Sequence, residues 1–157
     1  MKLEDQVCSL ELAKRLKELG VPQKSLFYWV RRINALEYGQ ALGKSNKEGE
    51  IPCKEFDKLG KWEILYKNDK DCKDYGFGFY SAPTIAELGE GLPPIISIYD
   101  YNGHKLFNLE ITRAIEKGWF VRYTGDLYSL KECYDDTLVN AVTKMFIYLI
   151  ENGLVKI

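Results

Sequence analysis

The 157-residue chain holds one histidine, His104, four cysteines and several clustered aspartates. These are the groups whose spacing could support chemistry. His104 follows Asn102-Gly103, and across a hairpin Asp100 stands close enough to orient it as a general base. Such a base needs a nucleophile, and no serine occupies the glycine-flanked elbow that a Ser-His-Asp set uses. A solvated histidine at a hairpin tip is the simpler reading. Cys8, Cys53, Cys72 and Cys133 are scattered, outside the Cys-x-x-Cys spacing of zinc and redox sites. They read as free thiols in a reducing compartment, with two disulfides in a secreted chain as the alternative.

Asp69, Asp71 and Asp74 resemble the start of a calcium loop. The sixth position, which requires glycine, holds Asp74, and the twelfth, which requires glutamate, holds Tyr80. The run therefore reads as a solvated turn. Gly76-Phe77-Gly78-Phe79-Tyr80-Ser81 lacks the third glycine of a dinucleotide fingerprint and the lysine of a P-loop, and Pro83 stands before any helix. It reads as a strand packed close to a neighbour. Asp135 and Asp136 precede an apolar helix, where capping explains them. Tyr-rich strands can stack single-stranded nucleic acid, but only Arg122, between Val121 and Tyr123, interleaves a base with them. No catalytic, cofactor-binding or metal-ligating residue is assigned, and no cofactor is expected.

Positioning falls to the elements. Ser9 to Arg32 allows two readings. Ser9 caps a helix from about Leu10 to Leu19, with Leu12, Leu16 and Leu19 on one face. Gly20 ends it and Pro22 blocks continuation. A second helix from Gln23 to Arg32 would make a helix-turn-helix that offers Lys24, Tyr28, Arg31 and Arg32 to DNA. The seven residues from Ala13 to Gly20 are too many for that motif. The run Leu26-Phe27-Tyr28-Trp29-Val30 favours a strand instead. Lys24, Arg31 and Arg32 then remain as a candidate patch for an acidic partner or nucleic acid.

Residues 34 to 60 are rich in Gly, Lys, Glu and Asn and read as a flexible loop with a short helical turn near Ala35–Tyr38. Trp62-Glu63-Ile64-Leu65-Tyr66 alternates as a strand whose Trp62, Ile64 and Tyr66 share a face. The charged run Lys67–Lys73 is a turn and Phe77–Tyr80 a partner strand. Thr84 with Glu87 forms a capping box for a short helix from Ile85 to Glu90. Ile95–Tyr101 and His104–Leu109 form a hairpin about Asn102-Gly103, with an extension to Thr112 and a turn at Glu116-Lys117-Gly118. Trp119–Tyr123 is a further strand. The last helix begins after Asp135 or Asp136 and buries Leu138, Ala141, Val142, Met145, Phe146 and Leu149. Gly153 ends it, with Leu154 folded back onto Leu149.

These elements sum to an α+β fold: one domain over residues 1–157, with an antiparallel sheet of about five or six strands. The N- and C-terminal helices pack on one face of it. Net charge is −1, so a fold-wide basic footprint for nucleic acid is absent. The polar opening Met1-Lys2-Leu3-Glu4-Asp5-Gln6 is unlike a secretory leader, and no apolar run reaches membrane-spanning length. No membrane association is expected.

Three stretches carry a resemblance. They are Leu3–Leu19 with Val21-Pro22-Gln23, then Ala82-Pro83-Thr84 with Glu87-Leu88 and Leu92-Pro93, and finally AVTKMFIYLIENGL from Ala141 to Leu154. Together they resemble small uncharacterised proteins encoded by bacteriophages and prophages, over most of the chain. That family has no assigned activity, so the resemblance implies only context: an accessory role in a host bacterial cytoplasm. The expected function is non-enzymatic, by binding another protein or by self-association into a homo-oligomer. A DNA-binding regulator using residues 9–32 is the alternative.

Overall fold

The structure, a computed structural model, describes residues 2–33, 37, 60–66, 79–101 and 103–157. The expected 34–60 loop, with its helical turn, lies almost wholly outside these residues. So do the Lys67–Lys73 turn, the Asp69/Asp71/Asp74 run, Gly76–Gly78, Cys53, Cys72 and Asn102.

After a 3-10 turn at Leu3–Asp5, α1 spans Leu10–Glu18 and is capped by Ser9, whose side chain accepts from the Leu12 N–H. Ala13 and Leu16 face inward. The end is a Schellman motif: the Gly20 N–H bonds to the Lys17 carbonyl and the Val21 N–H to the Leu16 carbonyl. Gly20 has φ +84°, which costs a residue without Cβ little. The chain then enters β1, Phe27–Arg32. Residues 27–32 are thus a strand, and the second helix of a helix-turn-helix is not formed there. Three aromatic side chains and a β-branched one in a row, Phe27 to Val30, pack better across a pleated sheet than around a helix.

The expectation of one sheet of five or six strands needs correction: the described residues form two antiparallel sheets. The first has three strands, β2 (Lys61–Tyr66), β1 and β3 (Phe79–Ser81), in the order β2-β1-β3. Trp29 lies across from Ile64 on one side and Tyr80 on the other. Trp62 packs on Tyr80 and Phe27 on Tyr66, so the aromatic face expected for β2 is formed. The second sheet runs β4 (Ile95–Asp100), β5 (Gly103–Arg113), β6 (Trp119–Thr124) and β7 (Ser129–Asp135) in sequential order. Gly103 pairs with Asp100 as the first residue of β5. The reversal therefore falls one position earlier than the expected Asn102-Gly103 pair.

Between the sheets, α2 (Ile85–Gly89) starts at the expected Thr84–Glu87 capping box. The Glu87 carboxylate also accepts from the Leu26 N–H at 2.9 Å and the Ser25 hydroxyl at 3.0 Å, which ties α2 to the entry of β1. Burial would raise this carboxyl, but the bonds from Thr84, Leu26 and Ser25 outweigh it and hold the group below its ordinary range. The final helix, α3 (Leu138–Glu151), is capped by Thr137 rather than by Asp135 or Asp136. Asp135 acts one layer back, accepting from the Thr137 N–H and hydroxyl. Its end is a second Schellman motif: the Leu154 N–H bonds to the Leu149 carbonyl at 2.8 Å.

The core lies between α3 and the inner face of the four-stranded sheet. Phe107, Val121, Tyr123 and Cys133 meet Val139, Val142, Met145 and Leu149 there. Burying Met145 and Leu149 stabilises the fold by roughly 1.5–3 kcal/mol each. The two terminal helices do not share one sheet: α3 packs on β6 and β7, while α1 packs on α3 and on β3 of the smaller sheet. Lys14 and Lys17 reach over the Tyr80 ring, extending that contact.

Candidate functional site

Register decides which side chains of the larger sheet face solvent. Ile95, Ser97 and Tyr99 of β4 share a face with His104 and Leu106 of β5. Glu110, Arg122 and Glu132 continue it across β5, β6 and β7. The other face is the core. Among the described residues no helix covers this outer face.

Its three zones differ in chemistry. In the centre, Arg122 Nε donates to Glu110 at 2.9 Å and Nη1 lies 3.5 Å from Glu132. Hydrogen bonds from Thr124 and Arg122 lower the Glu110 carboxyl. At the α3 end, Phe120 and Tyr134 pack together. At the hairpin end, apolar side chains stand in water: Ile95 is 51% exposed, Tyr99 78% and Leu106 51%. His104 stacks on Tyr99 with ring centroids 4.4 Å apart, and its Nε2 lies 2.5 Å from the Ser97 hydroxyl. A serine beside a histidine suggests nucleophilic catalysis. This pair stands on an open sheet face without walls to exclude water, and the structure does not describe the Asp100 side chain. Its geometry serves to hold the His104 ring stacked against Tyr99.

The two edges of this sheet also differ. β7 is backed by α3: Lys144 Nζ donates to the Tyr134 carbonyl at 2.9 Å and pairs with Asp135 at 2.8 Å. Asp135 also accepts from Asn140, whose own carbonyl oxygen accepts from the Ser9 N–H at 2.8 Å. Burial opposes ionisation of Asp135, but Lys144, Thr137 and Asn140 outweigh it and lower its carboxyl. Pairing with β6 shifts register between Tyr123 and Thr124. A shallow groove of 450 Å³ runs beside β7, between Lys131–Tyr134 and the helix residues Arg15, Ile147 and Glu151. Among the described residues, β4 has none of this backing, and no strand pairs with its outer side.

A second concavity of 780 Å³ lies between the N-terminal turn, α2 and the start of α3, with Trp119 in its wall and the Lys117–Asp136 ion pair at its rim. Asp5 is its other acid. Among the described residues no group of three or more His, Cys, Asp or Glu could hold a metal ion. No described helix is long and apolar enough to cross a membrane.

Of the candidate patch, Lys24 is exposed in the link before β1. Arg31 is only 7% exposed, with its guanidinium over the Trp62 ring at 5.5 Å. It is not displayed for an acidic partner. Arg32 is the last residue of β1, paired with Lys61, and the structure does not describe its side chain. Of the three, Lys24 is thus exposed and Arg31 buried, and the Arg32 side chain lies outside the described residues. Cys8 and Cys133 are buried free thiols. Burial pushes the Cys8 thiol up to about 12, which makes it unreactive.

Sequence reasoning missed the open face because it left residues 124–134 unassigned and so had no β7. The signal for the β4 edge was present in Ile95-Ile96-Ser97-Ile98-Tyr99, five residues without charge, glycine or proline. No protein-family model, no curated protein and no solved structure matches the chain.

Proposed function

We propose that the protein is a non-enzymatic accessory protein that binds another protein or itself. It docks through the hairpin end of the open sheet face and the β4 edge beside it. The observation that carries this reading is the cluster of Ile95, Tyr99 and Leu106 on one uncovered face, at an edge that no described strand completes. Apolar side chains gathered at an unpaired edge mark a contact surface. Tyr99, stacked on His104, presents the exposed aromatic area that interfaces favour. The phage-like stretches of sequence support a prophage-borne role in a host bacterial cytoplasm as the setting.

A photo-crosslinking amino acid at Tyr99, in protein produced in bacterial cells, tests the reading. Glu11, exposed on α1, is the control position. Discrete protein adducts are expected from Tyr99 and not from Glu11. Equal labelling at both positions, or none at Tyr99, removes the reading.

A further inference from the structure

We infer that the partner is a second copy of this chain, joined by antiparallel pairing of two β4 strands about a two-fold axis at Ser97. The inference rests on the protein-binding reading above and names its partner.

Hydrogen-bond phase comes first. The Leu109 N–H bonds to the Pro94 carbonyl, and antiparallel pairs alternate between bonded and non-bonded positions. In the β4–β5 register, Ile96, Ile98 and Asp100 therefore bond to β5. Ile95, Ser97 and Tyr99 turn their N–H and C=O groups to the free side. Centring a second β4 on Ser97 places Ser97 opposite its copy and Ile95 opposite the copy's Tyr99. All three outward-facing residues then fall at bonded positions, for about six new backbone hydrogen bonds.

Side chains agree with that register. Read from Ser97 in either direction, the strand gives Ile98 or Ile96, then Tyr99 or Ile95. Pairing about Ser97 thus sets apolar against apolar on both faces and opposes no like charges between Ile95 and Tyr99. Each residue meets a partner on its own face, as an isologous contact requires. The result is one eight-stranded sheet with Tyr99 and Ile95 of both copies joined on the open side.

The internal symmetry of the strand favours a second copy as the occupant. A strand from an unrelated protein needs no such internal symmetry, whereas a second copy does. The edge is roughly 20 Å long at about 3.4 Å per residue. A covered aromatic side chain removes roughly 150–250 Å² from water. Two Tyr99 rings supply roughly 300–500 Å² at most on that figure, and with the half-exposed Ile95 side chains the contact stays below the ~1,000 Å² of a stable interface. The dimer is therefore reversible and depends on concentration.

Ser97 on the axis supplies the test. It is exposed, and because replacing it also removes its bond to His104, circular dichroism and thermal melting check that Ser97→Lys and Ser97→Asp keep the monomer fold. In the dimer each variant opposes two like charges. Sedimentation velocity from micromolar to millimolar protein should show wild type passing from monomer to dimer and each variant staying monomeric. An equimolar mixture of the two variants should dimerise again. If Ser97→Lys unfolds, Ile95→Lys replaces it and should likewise stay monomeric. A wild-type dimer that survives these substitutions overturns the inference, as does a mixture no better than its components. A wild type that stays monomeric overturns it too. In that case Tyr99 crosslinks to a different protein preserve the binding reading, and their absence removes both.

Discussion

β4 and β7 bound the same sheet, and only β7 carries what stops another strand from adding to it. Its sequence places Lys131 and Glu132 mid-strand, its pairing is irregular near Ser129, and Lys144 from α3 occupies the Tyr134 carbonyl. Charges, irregular pairing and coverage are the devices by which sheets protect an edge. Among the described residues, β4 shows none of them between Ile95 and Tyr99. An unguarded apolar edge is an aggregation hazard unless a partner completes it, so its retention beside a protected edge points to use. The contrast is local, because both strands share the core beneath them through Ile96 and Cys133.

The largest effect should come from the anchor of the protected side. Asp135 accepts from Thr137, Asn140 and Lys144 at once, so Asp135→Ala strands several donors and weakens the start of α3. We expect a loss of roughly 2 kcal/mol in urea denaturation at neutral pH. The pH dependence follows from the sign of its shift. A carboxyl lowered in the folded state contributes stability above its unfolded pKa, and that contribution disappears as pH falls through the folded pKa. Wild type and variant should therefore converge in acid. A difference that stays constant with pH would mean that the cost is packing, not charge.

Lys144→Met comes next. It keeps the aliphatic stem but loses the bond to the Tyr134 carbonyl and the Asp135 ion pair. The pair is partly solvated, so the expected cost is about 1 kcal/mol or less. Amide exchange in β7 should quicken with no change in β4. If β4 amides quicken equally, the two edges are coupled and the contrast is not local.

Much of the helical scaffold was legible in the sequence because its signals are short-range. Ser9, Gly20, the Thr84–Glu87 box and Gly153 act within one turn of their own helix, and each does so in the structure. Strand organisation was not legible, because the division into two sheets depends on pairings such as Trp29 with Ile64 and Tyr80, far apart in the chain. β7 escaped because Lys131-Glu132 interrupts its alternation and only Cys133 is buried. Arg31 misled for another reason: a guanidinium on a long apolar stem can be buried over an indole, so residue type alone did not place it at the surface. The proposed site was half-visible. The five uncharged residues of β4 could be read directly, but their place at an edge required the strand order.

The smallest change in stability should accompany the clearest change in behaviour. Ile95 is half exposed on β4, so a lysine there should shift stability by no more than about 0.5 kcal/mol. Glu132→Lys sets a lysine opposite Arg122 and should cost up to about 1 kcal/mol. Ile95→Lys places that lysine against the copy's Tyr99 and leaves the monomer intact, so the dimer should vanish from sedimentation velocity. Glu132→Lys alters an edge already closed by Lys144 and should leave the dimer unchanged. The net charge is −1, so neither added lysine raises the overall repulsion between copies, and any general surface effect would weaken association in both variants alike. Only an interface at β4 makes them differ, so equal loss in the two would erase the distinction between the edges.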